Sequence, residues 1–145
     1  MLQRCDVAAA VAQKTASQCF VNKVVDGVVS SMKVSDYDFG RIAVEGSSYT
    51  ADVIITPERV IDHWWRKQGH SLAIEDLDAV VQADPDVLVV GTGYYGRMQI
   101  PDETRNYLAE KGIRLIDANT RDAVGEFNAL QKEYARIVAA LHLTC

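Results

Sequence analysis

The chain has 145 residues, of which 48% are hydrophobic and 24% charged, and its formal charge is −5 at pH 7. That composition suits a single globular domain and excludes disordered, collagen-like and membrane-spanning classes. The acidic surplus argues against nucleic acid as a partner, and Cys5, Cys19 and Cys145 are too few for a disulfide framework, so a soluble cytoplasmic protein with no membrane insertion is expected.

Residues 1–35 hold four Lys/Arg and two Asp/Glu, whereas 36–145 hold eleven and eighteen. The apolar block at 7–12 is too short and too closely bounded by polar residues to serve as a secretory core. Residues 1–35 therefore read as an extension that need not belong to the fold, with Met32 a candidate start, and 36–145 as one α/β domain. Within it, 41–45 and 49–56 are β-branched or alternating runs separated by Gly46, Ser47 and Ser48, the pattern of a hairpin. Pro57 ends the second run. Residues 59–66 read as extended, placing Asp62, Trp64 and Arg66 on one face. A short helix at 74–83 follows, with Leu77, Val80 and Val81 inward, and Asp84-Pro85 stops it.

Residues 86–90 hold an apolar run, continuous from Val87, that is too short for a helix, as expected of a strand covered on both faces. Gly91 to Gly96 reads as a loop, and a helix runs from Pro101 to Lys111 with Gly112 as its stop. A second buried strand at 113–116, a helix at 120–134 and a last strand at 136–144 complete a βαβαβ half with right-handed crossovers.

Gly91, Gly93 and Gly96 satisfy G-x-G-x-x-G after a buried strand, and Asp117 ends the next strand where a ribose-binding acid could stand. A dinucleotide site, however, needs its helix to begin inside the glycine loop, and here five residues separate Gly96 from the helix. A dinucleotide oxidoreductase is thus the least favoured reading, and no cofactor is called for. Glycine amides at a strand end still form a nest for a small anion, to which Thr92 adds a hydroxyl. Arg66, beside Trp64 and Trp65, is the best cationic anchor for such a ligand, with His70 as a proton carrier. The opposing reading is a tight turn and a tryptophan packed in the core. No metal site is expected: His63, His70 and His142 form no ligand pattern, and His142 and Cys145 point to opposite faces of a strand. No nucleophile elbow or P-loop appears, so the balance leans against an enzyme.

Asp38-Phe39-Gly40, Tyr49 with Asp52-Val53-Ile54-Ile55, Trp64-Trp65-Arg66 and Gly69-His70 form a set with later residues. These are Pro85, Val87 to Gly93, Pro101, Leu108, Gly112, Thr120, Ala123, Phe127-Asn128, Leu130 and the ending from Val138 to Cys145. Together they resemble a small family of uncharacterised archaeal and bacterial α/β proteins whose mitochondrial relatives include respiratory complex I assembly factor three and an adipogenesis-associated protein. The resemblance implies a three-layer fold with a central mixed, mostly parallel sheet, flanking helices and an N-terminal β-hairpin. It also implies a cleft near the glycine loop, onto which Arg66, Gly91, Gly93 and Thr120 match. Two functions follow as expectations. The first is a non-catalytic protein-interaction or assembly module. The alternative is a small anionic-metabolite binder or enzyme using Arg66, His70, Gly91, Thr92, Gly93 and Thr120.

Overall fold

The structure is a computed structural model that describes residues 32–144. The readings of residues 1–31 and of Cys145 lie outside the described residues. Strand β1 (Val34–Asp38) begins inside the segment read as an extension and pairs antiparallel with β2 (Arg41–Val44). Strand β2 in turn pairs with β3 (Ser47–Tyr49). Glu45 and Gly46, at φ 49° and 83°, make the two-residue turn between β2 and β3. Positive φ at both positions matches the right-handed twist of the strands they join. The N-terminal layer is therefore a three-stranded sheet, and its hairpin turn is tighter than the sequence suggested.

The expected strand at 49–56 is divided. Tyr49 stays with β2, while β4 (Val53–Ile55) leaves to join a second sheet. All three β4 residues are buried, Val53 and Ile55 in one core and Ile54 in the other. A run apolar on both faces cannot lie in a sheet with one wet face, so it is drawn to the interior. The five-stranded sheet has the order β5 (Val60–Ile61), β4, β8 (Ile137–His142), β6 (Val87–Thr92), β7 (Arg114–Ala118). Strand β6 is parallel to both β7 and β8, whereas β4 is antiparallel to β8 and to β5, giving the mixed sheet. Of residues 59–66 only Val60 and Ile61 are strand.

Helices cover both faces. Residues Ile74–Leu77 form a 3-10 turn running into α1 (Asp78–Ala83), which stops where Asp84 turns left-handed at φ 49° before Pro85. Helix α2 (Asp102–Glu110) follows Pro101, with Asp102 and Glu103 complementing the positive end of its dipole. Thr104 and Leu108 are its buried residues, and Leu108 joins Leu88, Val90, Val138 and Ala140 in the core on this face of the sheet. Helix α3 (Thr120–Leu130) is capped by the Asn119 side chain, which accepts from the Asp122 amide at 3.0 Å. It buries Ala123 and Phe127 against Val87, Val89, Ala139 and Leu141 on the opposite face, a core it shares with the N-terminal sheet. Side-chain amides on α3 and at its C-terminal cap also bond the backbone at the start of the N-terminal sheet. Asn128 both accepts from Val34 N and donates to Val34 O, and Gln131 does the same for Met32.

Sequence reading and structure also differ at the glycines. Strand β6 continues through Gly91 and Thr92, which pair with Leu141 and His142 of β8. Gly91 is thus a strand residue. A Cβ on it would meet Thr120 Oγ1 at 2.8 Å and Leu141 Cδ2 at 3.0 Å, so its bare α-carbon is what lets α3 start against the sheet.

Candidate functional site

Crossovers to opposite faces make the carboxyl end of β6 the place where open α/β sheets usually bind ligands. The donors there are taken up internally. Gly93 N donates to Thr120 Oγ1 at 2.9 Å, and Thr120 N donates back to Gly93 O at 3.0 Å. The Thr120 hydroxyl donates on to His142 O at 2.5 Å, and Thr92 Oγ1 donates to Ala118 O at 3.0 Å. Met98 N closes the loop on Thr92 O at 2.9 Å. These bonds knit α3, β6, β7 and β8 together, and Gly91, Thr92, Gly93 and Thr120 are all buried.

Arg66 lies on the other face of the sheet. Its side chain, 5% exposed, places Nη1 2.8 Å from Asp52 Oδ2. Its Nε and Nη2 donate to Gly69 O at 3.3 and 3.1 Å. The guanidinium carbon stands 4.9 Å from the Trp64 ring centroid, adding a cation–π contact. Asp52 also accepts from Leu143 N at 2.8 Å and lies 2.8 Å from His142 Nδ1. His142 Nδ1 thus lies between the Asp52 carboxylate and the Arg66 guanidinium, and its buried Nε2 has no hydrogen-bond partner among the described residues. Burial alone would raise the Asp52 pKa. The bonds from His142 and Leu143, the charge attraction of His142 and the bond from Arg66 outweigh it and hold the carboxyl below its ordinary value.

Arg66 and His70 therefore meet around His142: Arg66 Nη2 lies 3.0 Å from His142 Nδ1, and the His70 ring centroid 6.2 Å from that of His142. Gly91 and Thr120 pack on the α3 face, away from this cluster. Asp52 and His142 went unrecognised in the sequence. The one available signal was a lone carboxylate directly ahead of an all-apolar strand. Asp117, the residue considered for a ribose, accepts from Arg105 at 3.3 and 3.2 Å instead. Among the described residues no three His, Cys, Asp or Glu are grouped to hold a metal ion.

A second cluster lies at the surface. Phe39, at the β1–β2 turn, is 51% exposed and Tyr95, in the glycine loop, 65%. Both meet Tyr94 edge to face, at 5.5 and 5.1 Å between centroids. Arg121 covers Tyr94 and Arg97 covers Tyr95, each at 5.6 Å. Neither arginine forms an ion pair among the described residues. Aromatic rings beside arginine are the residues that most often carry binding energy at protein interfaces.

The fold and these clusters define a mixed α/β domain whose strand ends are sealed from within and which carries an exposed cluster of aromatic rings and arginines. Residues 34–142 match the family described as a protein of unknown function (DUF498/DUF598), and the chain belongs to that family. Its structure is similar to that of conserved hypothetical protein PH1505 from Pyrococcus horikoshii OT3, at 28% identity and a TM-score of 0.67, covering 79% of this chain and 100% of that one. It is similar in fold to Xanthomonas campestris XCC1710, at 21% identity and a TM-score of 0.68 over 78% and 85% of the two chains. Another fold neighbour is a Bordetella pertussis protein described as an Mth938-like domain, at 23% identity and a TM-score of 0.57 over 83% and 90%. Among the described residues no helix is long and apolar enough to cross a membrane.

Proposed function

We propose that the protein is a non-catalytic interaction module that docks a protein partner through Phe39, Tyr94 and Tyr95 with Arg97 and Arg121. The observation that carries this reading is the pairing of half-exposed rings with arginines that form no ion pair among the described residues. Exposed apolar rings are normally buried in a complex, and arginine above them supplies charge-assisted hydrogen bonds to acidic groups of the partner. The resemblance to relatives that include complex I assembly factor three suits an assembly role, and the expected setting is the cytoplasm. The anionic-ligand alternative, using Arg66, His70, Gly91, Thr92, Gly93 and Thr120, is weaker, because an anion would have to displace Thr120 from Gly93 N and Asp52 from Arg66.

The test compares affinity capture by the wild-type protein with capture by the double variant Phe39→Ala, Tyr95→Ala. A partner that purifies with the wild type, binds it directly as isolated protein, and loses at least tenfold in affinity for the variant supports the reading. Equal binding by the variant overturns it.

A further inference from the structure

Strand β7 ends the five-stranded sheet, with β6 on one side and, among the described residues, no strand on the other. Arg114 N donates to Asp86 O at 3.0 Å, which fixes the phase of the ladder. With a period of two, Arg114, Ile116 and Ala118 turn their backbone groups to β6, and Leu115 and Asp117 turn theirs to the outer edge. No hydrogen bond from another described residue reaches those outward groups. Beside this edge, between β7 and α3, runs an open groove of about 540 Å³. Ile116 and Ala118 form one wall, and Gly125 and Ala129 leave the α3 wall low.

The groove is also charged. Asp122 and Glu126 line it and form no ion pair among the described residues, and Asp117 at its rim is held by Arg105. Arg121 is its single described cation and lies over the Tyr94 ring. An edge that offers two donors and two acceptors beside a groove of small apolar residues fits an added strand, whose alternate side chains enter the groove. Unneutralised carboxylates select basic side chains at those positions.

We propose that β7 is a strand-addition site for an extended basic segment of a partner protein, alternating lysine or arginine with small apolar residues. This inference rests on the interaction-module reading for its purpose, but its surface shares only Arg121 with the aromatic one. Outer-edge pairing at Leu115 and Asp117 holds the segment, and Asp122 and Glu126 set its charge.

A labelled heptapeptide of alternating lysine and valine serves as the probe, and a glutamate–valine heptapeptide as its counterpart. The lysine peptide is expected to slow amide exchange at Leu115 and Asp117 about tenfold at nine-tenths saturation. It is expected to bind at least tenfold tighter than the glutamate peptide. Glu126→Lys is expected to weaken it several-fold. Asp117→Pro removes an outward donor without touching the β6 ladder and is expected to abolish binding, whereas Asp117→Asn retains it. Phe39→Ala with Tyr95→Ala is expected to leave peptide binding unchanged, so failure of the aromatic surface and failure of this one are read separately. Unslowed amides at Leu115 and Asp117 in millimolar peptide overturn the proposal in the wild-type protein alone, as does equal affinity for the two peptides.

Discussion

Arg66 and Arg121 both lie over an aromatic ring, 4.9 Å from the Trp64 centroid and 5.6 Å from that of Tyr94. Arg66 is buried, paired with Asp52 and bonded twice to Gly69 O. Arg121 stands in solvent with no ion pair among the described residues. The same two residue types thus serve as internal structure in one place and as free recognition chemistry in the other. A guanidinium beside an aromatic ring does not announce a site; what separates the two is whether the chain supplies the counter-charge.

The sharpest way to break this comparison is to remove the counter-charge. Asp52→Asn leaves Arg66 buried without its carboxylate, and breaking such a pair costs about 3–5 kcal/mol. Urea denaturation is expected to show a loss of that size, against almost none for Arg121→Ala. The Asp52 carboxyl also ties stability to acid. Its native pKa lies below 3.8, so its contribution is complete above that pH and is lost as the pH falls further, through the depressed native value. Melting temperatures from pH 5 down to pH 2 should fall more steeply in the wild type than in Asp52→Asn.

Tyr37 sharpens the contrast among the tyrosines. Burial pushes its pKa up to about 12, and its hydroxyl donates to Leu143 O at 2.8 Å. The raised value keeps its contribution intact below pH 10; it is lost as the pH rises from 10 toward 12, by about 3 kcal/mol in all. Stability measured over that range should drop in the wild type and flatten in Tyr37→Phe. Gly91→Ala is expected to cost about 1–3 kcal/mol, since the added methyl presses on Thr120 and Leu141. Smallest of all, Phe39→Ala or Tyr95→Ala should change stability by less than about 0.5 kcal/mol each, as solvent-facing truncations do. A large loss from either would make that ring structural and return it to the Arg66 class.

Much of the architecture was legible in the sequence, because periodicity reports burial. The all-apolar run at 87–90 marked a central strand, Pro101 with Gly112 bracketed α2, and the alternation of strand and helix implied right-handed crossovers between parallel strands. Less legible was where a run changes partner. Residues 49–56 have one continuous strand-like pattern, yet Thr50 to Asp52 carry the chain from one sheet to another. Glycine spacing misled for a related reason. Gly91 answers to the Thr120 side chain 29 positions later, a requirement that no local pattern can show. The ion pair of Arg66 with Asp52 and the edge-to-face contact of Phe39 with Tyr94 are likewise products of tertiary closure.

The position of β8 has a consequence for how the larger sheet is assembled. Strands β4 and β6 never touch directly; β8 lies between them and hydrogen-bonds to both. Until Ile137–His142 is in place, β5 with β4 and β6 with β7 are two separate pairs, and the gap between them is open. Val53–Ile55 and the largely apolar Val87–Thr92 then each present an unpaired edge to the surroundings. The larger sheet therefore closes only when β8 is threaded between those two edges.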